Sequence, residues 1–202
     1  MNIRIVALGL ILVAQTGLAQ ESYKPVLKAK AAERAAMLQT LQRGKEIKGS
    51  SELYRFLPEV HAVEHTPSAE TPQQALARTG EGGAQILETK GRLVLYRSAQ
   101  PKPALVERVA GATVYPTVVN VRTGTLGVLT GSLVVKPKSM ADAAVIANSH
   151  GVEKGKEYPH LQTVFYRVRA NADIADVAAA LQADPRVESA YPEIIEHLRS
   201  PK

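Results

Sequence analysis

Between Gly131 and Glu193 the hydrophobic pattern alternates between strand-like and helix-like spacing, and the order of that alternation restricts the fold more than any other feature. Ile174, Val177, Ala178 and Leu181 recur at i, i+3, i+4 and i+7, the stripe of a helix with one buried face. Asp173 stands where an N-cap belongs, and Asp184-Pro185 ends the pattern. An earlier helical stretch opens at Ser139, with Asp142 three residues on, and closes at His150-Gly151, where glycine suits a left-handed C-terminal cap. Around these helices, Leu133 and Val135 belong to a half-buried strand, followed by strands at Val152 to Tyr158, Thr163 to Arg169 and Arg186 to Tyr191. Within the third, Val164, Tyr166 and Val168 share one face, and Phe165, Arg167 and Arg169 share the other. The order β-α-β-β-α-β predicts two helices on one face of a four-stranded antiparallel sheet, the ferredoxin-like arrangement of an α+β domain.

Upstream, the pattern predicts a small β-rich subdomain over residues 84–130. Ile86-Leu87 and Leu93 to Tyr96 flank Lys90-Gly91, and Val114 to Val121 and Leu126 to Val135 flank Thr123-Gly124, each pair reading as a hairpin. Pro116 has no N–H to donate to a ladder, so its run is expected at an edge, or the proline among the first residues of its strand. Residues 45–83 are rich in Ser, Pro, Thr, Gln and Gly and read as a linker, with Leu53-Tyr-Arg-Phe-Leu57 as an apolar anchor. Pro25 to Gly44 favours a helix, either docked or frayed. The expected organisation is a signal peptide at 1–19, the helix and linker at 20–83, the β-rich subdomain, a C-terminal domain at 131–193 and a tail at 194–202.

The first 19 residues have the layout of an export signal: Arg4, the apolar run Ile5 to Val13, and small residues Gly17 and Ala19 at the cleavage site. A periplasmic or secreted protein is expected, with no membrane attachment after cleavage. There is no cysteine, so disulfides, thiolate chemistry and cysteine-bound metals are excluded. The formal charge of +6 is interspersed rather than clustered, and no basic run is interleaved with aromatics, which argues against nucleic acid as a partner.

Catalytic motifs are sparse. His61-Ala-Val-Glu64-His65 formally matches H-x-x-E-H, a zinc-protease pattern that needs a stable helix presenting both histidines. Pro58 and Pro67 confine it to a short, loop-like stretch, so metal chemistry is not expected. His150, His160 and His197 lack a serine and aspartate at nucleophile-elbow spacing, and the glycines of Thr123 to Gly131 lack the Gly-Lys-Ser/Thr of a phosphate loop. No enzyme and no cofactor is expected.

The Leu133-Val-Val-Lys136 strand, the Ala-rich helix ending at His150-Gly151, the Val164 to Val168 strand and above all the closing Val177-Ala-Ala-Ala-Leu-Gln-Ala-Asp-Pro-Arg-Val-Glu-Ser-Ala-Tyr-Pro-Glu193 resemble the propeptides of subtilisin-type proteases, the peptidase inhibitor I9-like family. Together with Asn120 to Gly131, the whole arrangement resembles the free-standing external chaperones of secreted kexin-like serine proteases. With no protease attached, the resemblance implies action in trans, as chaperone and inhibitor of a secreted subtilisin-family serine protease. The alternative is a non-enzymatic periplasmic binding module for a small ligand or an envelope protein.

The resemblance also implies a geometry. The helix-free sheet face, expected to carry Val134, Phe165, Arg167, Glu188 and Ala190, would pack on two helices of the protease. Glu193 would cap the N-termini of those helices, where unpaired N–H groups favour a carboxylate. The family often has a second acid where this chain has Tyr191. Beyond it, Glu196, His197, Leu198 and Arg199 would lie extended in the substrate cleft as an added strand, with Arg199 in the primary pocket or, in a shifted register, Lys202.

Overall fold

The computed structural model describes residues 36–41, 43–169 and 172–197. The chain divides into two units, Met1–Thr40 and Leu41–Lys202. Of the first, residues 36–40 are described and are helical. The expected signal peptide and nearly all of the expected N-terminal helix lie outside the described residues. Among the described residues, no helix is long and apolar enough to cross a membrane.

The second unit is α+β, with one mostly antiparallel sheet and few helices. Its elements are β1 (Glu46–Lys48), β2 (Leu53–Glu64), α1 (Pro72–Arg78), β3 (Gln85–Lys90), β4 (Leu93–Arg97), β5 (Glu107–Val109), β6 (Ala112–Asn120), β7 (Leu126–Pro137), α2 (Ala143–His150), β8 (Glu153–Tyr158), β9 (Thr163–Arg167), α3 (Ile174–Gln182) and β10 (Val187–Ile195). The sheet runs β3-β4-β2-β6-β7-β9-β8, with β1 on β2, β5 on β6 and β10 on β7.

Residues 45–83, expected as a linker, supply a central strand instead. β2 lies between β4 and β6 and buries Phe56, Leu57, Val60, Ala62 and Val63. A strand covered on both sides loses the alternation by which strands are recognised, and Pro58-Glu59 breaks what remains. That break is a bulge: the β2–β6 register shifts between Leu57 and His61, opposite Thr117 and Pro116. Pro116 is therefore neither at an edge nor at a strand start, since the bulge accommodates its missing donor. The loop after β4 uses the bulge carbonyls, Lys102 N–H donating to Pro58 and Ser98 N–H to Glu59, both at 2.8 Å. α1 lies in the same segment, opened by a capping box between Thr71 and Gln74, and packs Ala75 and Leu76 against Val63, Val94, Tyr96 and Val114.

β7 links two regions of the sheet. Its first residues pair with β6, Leu126–Val128 against Val119–Thr117, and the rest pairs with β9 and β10. Gly131, at φ 83°, marks the change of partner, a backbone conformation that favours glycine. In the C-terminal region the elements run in the order β7, α2, β8, β9, α3, β10, and the strands lie side by side as β10-β7-β9-β8, all antiparallel. Both helices cover one face, burying Ile146, Ile174, Ala178 and Leu181 among Leu133, Val135, Val164 and Tyr166. The expected caps form: Asp173 accepts from the Ala175 and Asp176 N–H groups, and Gly151 ends α2 at φ 63°. Asp184 joins the two helix ends, accepting from His150 Nε2 at 2.7 Å and from Arg186 through Nε at 2.9 Å and Nη2 at 2.6 Å.

Candidate functional site

With both helices on one side of β10-β7-β9-β8, the other side is the candidate interaction surface. Cross-strand partners share a face, so the register identifies its members. Val134 pairs with Phe165 on β9 and with Tyr191 on β10, giving a half-buried apolar row across three strands. Tyr158 on β8 extends it, its ring edge-on to Phe165 with centroids 5.8 Å apart. Lys156 Nζ lies 5.0 Å from the Tyr158 ring centroid, a cation–π distance. Gly155 lets β8 approach closely, because a Cβ there would sit 2.8 Å from the Phe165 carbonyl oxygen. Arg167 pairs with Ser132 and with Glu153, placing charge at one end of the row. Of these, Lys156, Tyr158, Phe165 and Arg167, with Ser132 and Glu153, line a shallow groove of about 480 Å³, which also reaches Glu193.

Val134, Phe165 and Arg167 thus lie on the face to which alternation assigned them. Ala190 does not. Glu188 is the extra residue of a bulge, since Val187 pairs with Pro137 and Ser189 with Lys136, the next residue back along β7. The bulge shifts every later residue by one face, so Ala190 opposes Val135 among the helices, 8% exposed, and Tyr191 takes the open side. Glu188 is exposed at the bulge itself. Sequence alternation missed Tyr158, Tyr191 and Lys156 as members of the face. Tyr158 and Lys156 lie on a strand whose register shifts between Lys154 and Glu157, and Tyr191 comes after the bulge.

Glu193 sits at a second irregularity of β10, between the Pro192–Leu133 and Ile194–Leu129 pairs. Its Oε2 accepts from the Thr130 hydroxyl at 2.6 Å, which orients the carboxylate while leaving its other oxygen unengaged by any described residue. Past it, the expected free tail is not free. β10 continues to Ile195, opposite Val128, and Glu196 is held at two points. Its carboxylate accepts from Asn120 Nδ2 at 2.9 Å, and its carbonyl accepts from Lys90 Nζ at 2.6 Å. The chain's own sheet therefore occupies Glu196: β7 pairs two more residues after Pro192, Ile194 and Ile195, and delivers Glu196 to Asn120 and Lys90. His197 is exposed; Leu198, Arg199 and Lys202 lie outside the described residues.

The H-x-x-E-H stretch runs along the end of β2 to His65 just after it, an extended course that separates the two histidines by about 13 Å. Neither can share a metal with the other at that spacing. His65 instead donates from Nε2 to the Gly91 carbonyl at 3.1 Å. His61 is buried beside Tyr96, with no partner among the described residues for either ring nitrogen. Burial, with Lys102 adding to it, pushes its pKa down to about 4. Among the described residues no cluster of histidines and carboxylates is arranged to hold a metal.

A family model described as the open reading frame 2 N-terminal domain matches residues 70–201, from just before α1 through the site. The chain belongs to this family. No curated protein matches it. Among solved structures, the chain is similar to one from Aeromonas sobria, a complex of a serine protease with its chaperone, designated ORF2. The likeness is at 17% identity and a TM-score of 0.36, covering 48% of this chain and 99% of the matched one. The open face and the Lys90–Glu196 contact lie within the part of the chain that the family spans.

Proposed function

We propose that this protein is a non-catalytic chaperone for a serine protease, docking through the open face of β10-β7-β9-β8. The single observation that carries the reading is that face: an apolar row of Val134, Phe165, Tyr191 and Tyr158, flanked by Arg167, Lys156 and the oriented carboxylate of Glu193. Half-buried aromatics ringed by charge are the usual composition of a protein-binding patch. The propeptide-like closing segment supports it further, as does the open reading frame 2 designation that this family shares with the Aeromonas sobria chaperone.

In its finer form, the partner is an exported subtilisin-family, kexin-like enzyme, and the C-terminal domain is the ferredoxin-like unit of residues 131–193, a reading that the β10-β7-β9-β8 order supports. Glu193 caps helix N-termini of the protease, where its free oxygen meets unpaired N–H groups. The residues beyond Glu196 act as inhibitor, with Arg199 or Lys202 in the primary pocket. The Lys90–Glu196 contact supplies a fixed point from which such a segment would extend.

Co-expression tests both halves. A subtilisin-type protease encoded beside this chain is produced with and without it, and active enzyme is measured. Equal yields would refute the chaperone role. A truncation after His197, which keeps the Glu196 contacts, is expected to chaperone normally and to inhibit poorly; undiminished inhibition would remove the tail assignment.

A further inference from the structure

After their three-residue pairing β6 and β7 part, β6 turning to β2 and β5 and β7 to β9 and β10. The wedge between them is a cleft of about 370 Å³. Three arginines stand around it, each from a different position in the fold: Arg108 from β5, Arg167 from the end of β9, and Arg169 just beyond. Val106 and Ala172, both only partly buried, form part of its apolar wall, and Val106 reaches Gly131 so closely that a Cβ there would lie 3.0 Å away. Thr113, the register partner of Arg108, and Tyr115 beside it line the same cleft with hydroxyls.

The three guanidiniums have no hydrogen-bond or ion-pair partner among the described residues. That is exceptional among the described arginines. Arg55, Arg78, Arg92, Arg97, Arg122 and Arg186 are each paired with a carboxylate within 3 Å. Nor do nearby acids neutralise the cleft: Glu64 is bound to Arg92, Asp173 to Lys45, and Glu193 takes the Thr130 hydroxyl. Glu153 is the register partner of Arg167 yet forms no ion pair with it. Tyr115 senses the charge. Burial and then Glu64 push its phenol up, against a pull downward from Thr113, Arg108 and Arg167. The Asp173 cap occupies the N-terminus of α3, so the anion-attracting groups are the arginines and hydroxyls alone.

We propose that this cleft binds an acidic peptide segment, its carboxylates taken by Arg108, Arg167 and Arg169 and its apolar stems lying on Val106 and Ala172. A guanidinium's planar fork matches a carboxylate with two parallel bonds. The apolar wall favours a side chain with a hydrocarbon stem over a bare inorganic anion, which has nothing to place there. The site meets the open face at Arg167, which stands at the end of the apolar row, but it takes none of the row's aromatics and does not depend on the partner being a protease.

The test is fluorescence anisotropy of a labelled hexaglutamate peptide with the full chain at low salt, with hexaserine and hexalysine controls. Saturable hexaglutamate binding is expected, weakened about tenfold or more in the double variant Arg108→Ala, Arg169→Ala and restored in part by lysine at both positions. Circular dichroism checks that the variants stay folded, as exposed side chains should allow. No saturable binding, or binding unchanged in the double variant, would overturn the site. Inorganic phosphate is the second probe: displacement of the peptide at concentrations below those at which glutamate itself displaces it would overturn the peptide assignment.

Discussion

Lys90 Nζ donates to the Glu196 carbonyl and to the Leu126 carbonyl, both at 2.6 Å, joining the end of β3, the start of β7 and the residue after β10 at one buried ammonium. Glu88 lies 3.7 Å away and moderates the cost of burying the charge. The contact makes the chain beyond β10 part of the N-terminal region of the sheet, although its strand belongs to the C-terminal region.

Replacing Lys90 with Met keeps the stem and removes the donor, leaving two carbonyls unsatisfied. A loss of about 2–3 kcal/mol is expected by urea unfolding, with faster amide exchange concentrated at residues 194–196. Exchange spread evenly over the sheet would show that the contact is not local to β10.

Gly127 lies under the same segment. A Cβ there would sit 2.6 Å from Ile194 Cγ2 and 3.2 Å from Val118 Cγ2. Gly127→Ala is expected to cost about 1–3 kcal/mol through overpacking. Adding Ile194→Val, which trims the side chain, should recover part of it, measured as a double-mutant cycle.

His61 makes stability fall as the solution is acidified. Its folded pKa, about 4, is below the ordinary 6.5, so the unfolded chain takes the proton first. The stabilisation is complete above pH 6.5 and declines as pH falls toward 4, by about 3 kcal/mol. Lys102 and Glu81 are the charges that act on it, in opposite directions. His61→Leu should flatten that part of the pH–stability curve; an unchanged slope would assign the loss to other groups.

Asp184 acts at lower pH. Its carboxyl is held well below the ordinary 3.8 by hydrogen bonds from Arg186 and then His150. A depressed carboxylate stabilises above its unfolded pKa, and that contribution is lost as pH falls below about 3.8. Asp184→Asn should therefore be less stable than the parent at pH 7, with the gap closing in acid. A gap that stays constant to about pH 2 would rule out the ionised form as its source.

On the open face, Phe165→Asp or Tyr191→Asp should leave the thermal midpoint within a few degrees, since both side chains are only half-buried. Yield of active partner protease in co-expression should fall about tenfold or more, the scale expected for losing an aromatic anchor at an interface. Normal yield with both variants would move the docking surface elsewhere.

Most of the C-terminal region was legible because its signals are local. Asp173 and Gly151 report helix ends through their own side chain or backbone, and Val164, Tyr166 and Val168 report a face through their own spacing. The hairpins at Lys90-Gly91 and Thr123-Gly124 were readable for the same reason. β2 was not, because a strand buried on both sides carries no alternation, and its proline is tolerated only through a bulge matched to Pro116 on β6.

The candidate site divides along the same line. Val134, Phe165 and Arg167 could be assigned from regular strands, whereas Ala190 and Tyr191 exchanged faces at the Glu188 bulge. A bulge shows only as an offset between two strands, so neither strand's sequence contains it. The sequence by itself determined the two helices of the C-terminal region, their caps, the turns and the alternation within regular strands, all set by interactions a few residues apart. Tertiary structure alone decided the central place of β2, the facing of Tyr191, the capture of Glu196 by Lys90 and the gathering of three arginines in one cleft. Each of these depends on partners tens of residues distant, whose pairing is settled only when the whole sheet assembles.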